Sequence, residues 1–168
     1  MADISIELLH QAERRFSHYG VDQPAAFVAC DAERLPFADD TFDLVIAFEG
    51  IHHCLIPQSS LIEIWRVGRK AFVVDNYECG LTNMLLSVGQ SSVVEHSGLK
   101  PNRFTKSALL TMMQNAKVQS DEFRYYASIP PNMAGRLGYY VSRAAAVFLE
   151  KIGQTNKFML ATSKRPDK

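Results

Sequence analysis

The chain has 168 residues, 47% hydrophobic and 21% charged, which is enough apolar material for one folded domain and far from a disordered composition. Eighteen basic residues balance eighteen acidic ones, so there is no global field to hold a nucleic acid or an anionic membrane surface, and a small neutral partner fits better. No apolar run approaches the roughly twenty residues of a membrane helix, the first residues lack the regions of a signal peptide, and Cys30, Cys54 and Cys79 have unrelated spacings that suit a reducing compartment; a soluble, cytoplasmic protein is expected.

Asp3 and Ser5 precede a helical pattern from Ile6 to His18, with Leu9, Ala12 and Phe16 on one stripe and Gly20 as its stop. Two apolar runs follow: Phe27-Val28-Ala29-Cys30, ending at Asp31, and residues 44–48, ending at Glu49. Unbroken by polar residues, both read as buried parallel strands. After Pro57 a helix carries Leu61, Ile64 and Trp65 on one side, and Ala71-Phe72-Val73-Val74, ending at Asp75, makes a third strand. Residues 77–103, rich in Gly, Ser and Asn, read as an insertion or lid. Thr105 is an N-cap for a helix whose Leu109, Met112, Met113 and Ala116 repeat at the spacing of one buried face. A strand at 123–126 and a break at Pro130-Pro131 come next. A helix with Leu137, Tyr140, Val141, Ala144 and Phe148 on one side then leads to a last strand at 157–162, expected near a sheet edge.

This alternation predicts a single α/β domain with a mainly parallel sheet, in which ligands bind beyond the carboxyl ends of the strands. Asp3, Asp31 and Phe48-Glu49 fall at those ends and would share one rim. A carboxylate there can accept two hydrogen bonds from a ribose diol, and a second can accept from the exocyclic amine of an adenine, so a nucleoside is the natural ligand. Spacing alone does not separate this from acidic residues that merely end strands and cap helices. His52, His53 and Cys54, with Cys30 or Cys79, match no standard zinc spacing, and no metal site is expected.

The stretch Asp31-Ala32-Glu33-Arg34-Leu35-Pro36-Phe37-Ala38-Asp39-Asp40-Thr41-Phe42-Asp43-Leu44-Val45 closely resembles the D-A-x-x-L-P-F-x-D-x-x-F-D-x-V signature of class I S-adenosylmethionine-dependent methyltransferases of the small-molecule, type 11 kind. Ile51-His52-His53 continues the match, as does Asp3-Ile4-Ser5 with Leu8-Leu9 and Ala12; the resemblance is tight up to about Asp75 and looser beyond. It implies a Rossmann-like methyltransferase sandwich with helices on both faces, S-adenosylmethionine as cofactor and a small-molecule methyl acceptor. It also implies roles: Asp3 on the ribose hydroxyls, Ile4 against the adenine, Asp31 with Ala32 on the adenine edge, and Phe48 beside the methionine moiety. His53 is placed near the acceptor, where an imidazole can take a proton from an attacking hydroxyl or amine; capping or packing of the next helix is the alternative for the paired histidines.

The family layout begins with a strand and a G-x-G-x-G turn, and none of the nine glycines here lies two residues from another. Asp3 falls at the end of the family's second strand, so the first strand and most of the second have no counterpart, as in an N-terminally truncated member. Because the family's first strand is central, the strands at Phe27 and Leu44 are expected to be left with unmatched edges, and each buried unpaired backbone group costs about 1 to 3 kcal/mol. A partner supplying the missing strand, or closure of the gap, would relieve this. Little methyl transfer by the chain alone is expected; the alternative is a non-catalytic, methyltransferase-like binding or scaffold subunit. Residues 77–103 and 133–151, which would build the acceptor pocket, carry no readable signature.

Overall fold

The computed structural model describes residues 1–20, 25–76, 102, 104–127, 136–155 and 157–163. The expected insertion at 77–103 therefore lies, apart from Asn102 and the hydrophobic Phe104 beyond it, outside the described residues.

Strand β1 (Ala2–Asp3) leads into helix α1 (Ile6–His18) and then strand β2 (Val28–Ala29). Ser5 starts α1 because its hydroxyl accepts a hydrogen bond from the Leu8 amide at 3.3 Å, one of the donors a helix start leaves unpaired. The helix buries Leu9 and sets Phe16 edge-on against Phe27, with ring centroids 5.5 Å apart. β1 and β2 run parallel and form a two-stranded sheet of their own, with Ala2 opposite Val28 and Asp3 opposite Ala29.

The rest of the chain builds a larger layer. Strand β3 (Val45–Phe48) is followed by a 3-10 turn (Ile51–His53), helix α2 (Pro57–Val67) and strand β4 (Lys70–Asn76). Helix α3 (Lys106–Asn115), strand β5 (Glu122–Tyr126), helix α4 (Arg136–Lys151) and strand β6 (Lys157–Ser163) complete it. The four strands take the order β3-β4-β6-β5, with β3 parallel to β4 and β6 antiparallel to both of its neighbours.

The core lies between this sheet and two helices. Leu61 and Ile64 of α2 and Leu109 and Met113 of α3 meet Ala71 and Val73 of β4 and Phe158 and Leu160 of β6. Thr105 caps α3 as expected, its hydroxyl accepting from the Ala108 amide at 3.2 Å. Gly68 closes α2 against β3: a Cβ there would meet a Val45 methyl at 2.8 Å and the Lys70 and Ile64 carbonyl oxygens at 2.9 and 3.1 Å.

One expectation is met and two features differ from the sequence reading. β6 lies near an edge, next to the edge strand β5, and is paired on both sides, by β4 and β5. Its alternation of small and apolar residues suits a strand covered unequally on two faces as well as it suits an edge. The stripe on α4, by contrast, is not buried, with Tyr140 64% and Phe148 62% exposed. Second, β3 has apolar residues at every position, yet only Val45 and Ala47 pack toward the core, while Leu44, Ile46 and Phe48 are 51%, 63% and 67% exposed. Among the described residues β1, β2 and β3 are each paired on one side only, as expected for the strands at Phe27 and Leu44.

Candidate functional site

Asp3 ends β1, and Asp31 lies two residues beyond Ala29, the end of the adjacent parallel strand β2. The Cys30 amide donates to the Asp3 carbonyl at 3.0 Å, so the two acidic residues leave the sheet near one another. Each carboxylate is fixed by a short local turn: Oδ1 of Asp3 accepts from the Ser5 amide and Oδ1 of Asp31 from the Glu33 amide, both at 2.8 Å. The second oxygen of each has no partner among the described residues. The thiol between them reports their closeness, since Cys30 has its pKa raised by burial first and then by the charges of Asp31 and Asp3. Ile4 is 76% exposed beside Asp3, and Ala32 is exposed beside Asp31.

A second cluster lies at the ends of β3 and β4. Phe48 is the last residue of β3, and Glu49 after it adopts left-handed backbone with φ of 52°, a conformation that costs a non-glycine residue about 1 kcal/mol or more and turns its side chain off the strand line. The Glu49 carboxylate pairs with the Lys157 ammonium at 2.5 Å, and Lys157 also donates to the Asn76 side-chain oxygen at 2.6 Å. Lys157 stands opposite both Asn76 and Tyr126 in the ladder. Tyr126 has its phenol pKa raised by burial, with further contributions from Glu49 and Asp75.

Asp75 is fully buried and holds the 3-10 turn. Its Oδ1 lies 2.5 Å from His52 Nδ1 and accepts from the Asn76 amide at 2.6 Å, and its Oδ2 accepts from the His52 amide at 3.2 Å. A carboxylate on Nδ1 favours the tautomer with the proton there. His52 is 3% exposed, whereas His53 is exposed, and the two rings lie 4.0 Å apart, centroid to centroid. Asn102 donates to the His52 and Cys54 carbonyls and closes the turn from the other side.

Cys54 follows the 3-10 turn. Burial is the main cause of its raised pKa, the nearby Ser60 hydroxyl opposes the rise, and the carboxylates of Glu33, Asp31 and Asp75 add to it. Glu33, whose amide holds Asp31, also accepts from the Ile56 amide at 2.9 Å, which ties the Asp31 turn to the segment that follows the histidine turn. Asp3 and Asp31 leave the two-stranded sheet near one another with their neighbours Ile4 and Ala32, while Phe48 ends β3 and His53 ends the 3-10 turn that follows it. Sequence reading noted Asp75 only as a strand end and missed its bond to His52, 23 residues earlier. Asn76, Tyr126 and Lys157 gave no sequence signal, because only the cross-strand register brings them together.

The layered α/β structure, with mixed sheets and helices on both sides, has the Rossmann-like fold of solved methyltransferases. Residues 1–71 match the family described as Methyltransferase domain. Over those residues the chain is similar to that family. A ubiquinone/menaquinone biosynthesis C-methyltransferase from Cupriavidus metallidurans is 36% identical over 78 residues, 45% of this chain and 31% of that protein. A malonyl-[acyl-carrier protein] O-methyltransferase from a Marinomonas species is 38% identical over 65 residues, 39% of this chain and 23% of its own length. A solved S-adenosylmethionine-dependent methyltransferase from Methanosarcina mazei superposes with a TM-score of 0.63 at 16% identity, over 99% of this chain and 81% of that one. The chain spans less than a third of the curated relatives it matches. No helix among the described residues is long and apolar enough to cross a membrane.

Proposed function

We propose that the protein binds S-adenosylmethionine at these strand ends and serves methyl transfer to a small-molecule acceptor. The observation that carries the reading is the pair of carboxylates, Asp3 and Asp31, near one another, with one oxygen of each held by a local turn and the other without a partner among the described residues. That donor-poor, acceptor-rich edge suits a ribose diol and an adenine amine. Asp3 takes the ribose hydroxyls, Ile4 covers the adenine, Asp31 and Ala32 read its edge, and Phe48 lies beside the methionine moiety.

The bound sulfonium supplies an activated methyl group. His53 would stand near the acceptor and could take the proton that the acceptor loses as the methyl group is transferred. His53 is the exposed ring of the pair, while His52 anchored on Asp75 holds the turn that presents it. Matching segments occur in relatives named for carbon and for oxygen methylation, so residues 1–71 do not decide the acceptor atom. The 168 residues contain no G-x-G turn. Isothermal titration with S-adenosylmethionine and with adenosine tests the reading: Asp3→Asn and Asp31→Asn should each weaken binding roughly tenfold. Unaltered affinity in both variants would remove its basis.

The exposed apolar face of β3 favours a second reading, a binding subunit. Leu44, Ile46 and Phe48 stand out beside an edge unpaired among the described residues, the arrangement that accepts an added strand. Ile46→Lys should then abolish co-purification with a partner chain and leave His53→Ala without effect on it; the methyltransferase reading requires the reverse sensitivity in turnover.

A further inference from the structure

The geometry points to Arg66 as the residue that positions the nucleoside end of the site from a distance. The connection between β2 and β3, residues 30–44, contains no helix or strand, so its backbone polar groups need partners elsewhere. Helix α2 supplies them. Arg66 Nη2 donates to the Leu35 carbonyl at 3.0 Å, and Nη1 donates to the Phe37 carbonyl at 2.7 Å and to Asp39 at 2.8 Å. Glu63 orients the guanidinium through two bonds of 2.7 Å, from Nε and Nη2, and its Oε2 also accepts from the Leu35 amide at 2.8 Å. The Asp40 amide donates to the Arg66 carbonyl and the Phe42 amide to that of Val67. Leu35 is thereby held at both its N–H and its C=O by one ion pair.

The restraint reaches the ligand group through two residues. Glu33 fixes Asp31 with its amide and ties itself to the start of α2 by accepting from the Ile56 amide at 2.9 Å. The turn 31–34 is therefore pinned at Glu33 and, one residue past its end, at Leu35. A fork of five N–H groups can bond two carbonyls and two carboxylates at once; a lysine ammonium brings the charge without the fork. The bonds of Arg66 described above go to Leu35, Phe37, Asp39 and Glu63, so its effect is on where Asp31 and Ala32 stand.

This inference rests on the proposal that Asp31 reads an adenine, and the test separates the two. Amide chemical shifts of the wild type, Asp31→Asn and Arg66→Lys are followed during titration with adenosine, alongside urea unfolding and hydrogen exchange of Leu35. Adenosine should shift Ala32 and Glu33 saturably in the wild type. Arg66→Lys, while folded, should bind roughly tenfold more weakly, well short of the hundredfold that misplacement of a reacting group can cost, with faster exchange at Leu35. If Arg66→Lys does not fold, Glu63→Gln, which frees the guanidinium from its orienting partner, is read the same way. A lower urea midpoint with unchanged adenosine affinity overturns the positioning role and leaves the nucleoside site standing. An Asp31→Asn protein that binds like the wild type, or a wild type that does not bind, overturns both.

Discussion

Replacing Asp75 with alanine should cost this protein a large part of its stability. The side chain is fully buried and accepts from the His52 imidazole, the His52 amide and the Asn76 amide. Asp75→Ala leaves those donors without their acceptor inside the protein, and each buried donor left unpaired costs about 1 to 3 kcal/mol. The alanine variant is relieved of a buried carboxylate, which offsets part of the sum, and the net loss expected for breaking one side of a buried pair is about 3 to 5 kcal/mol. A typical domain has about 5 to 15 kcal/mol in total, so the variant should unfold at markedly lower urea. Trp65, the single tryptophan, packs against the core and reports the transition by fluorescence. Removing both partners, as in His52→Phe with Asp75→Leu, should cost less than the two single losses added, because the imidazole is no longer left without its acceptor, although the His52 and Asn76 amides still are. An Asp75→Ala protein within about 0.5 kcal/mol of the wild type, or a double variant whose loss equals the two single losses added, would refute the account of the turn.

Gly68→Ala should destabilise by about 1 to 3 kcal/mol, since the added methyl meets two backbone oxygens that cannot swing away; an unchanged thermal midpoint would mean that β3 shifts freely. Glu63 has its pKa lowered, chiefly by its hydrogen bonds with Arg66, so its stabilising contribution is present above the ordinary value of 4.5, declines as acid passes that value and is gone below the lowered one. Urea midpoints measured across that interval should fall less in Glu63→Gln than in the wild type. Burial, the main cause of the raised thiol pKa values, should make Cys30 and Cys54 alkylate more slowly near neutral pH in the folded protein than in the urea-unfolded chain. Peptide mapping after a timed iodoacetamide pulse checks this site by site, and equal rates would contradict the burial described for them.

Local order was determined by the residues themselves. Ser5 and Thr105 announce helix starts because their hydroxyls can bond the first free amides, and both do so. The apolar periods of α1, α2 and α3 place Leu9, Leu61, Ile64, Leu109 and Met113 inward, as the structure has them. The nearness of Asp3 and Asp31 followed from parallel strands with carboxylates at or just beyond their ends, a feature carried by neighbouring segments of chain. Tertiary structure alone decided the rest. β6 lies inside the sheet because the strand order, which no hydrophobic period encodes, inserts it between β4 and β5. The same order brings Lys157 to Glu49 and Asn76, residues more than eighty positions away, and lets Asp75 reach back to His52. The apolar residues of α4 and of one face of β3 are indistinguishable in sequence from core residues; what separates them is whether another layer covers them, and that is a property of the assembled sheets.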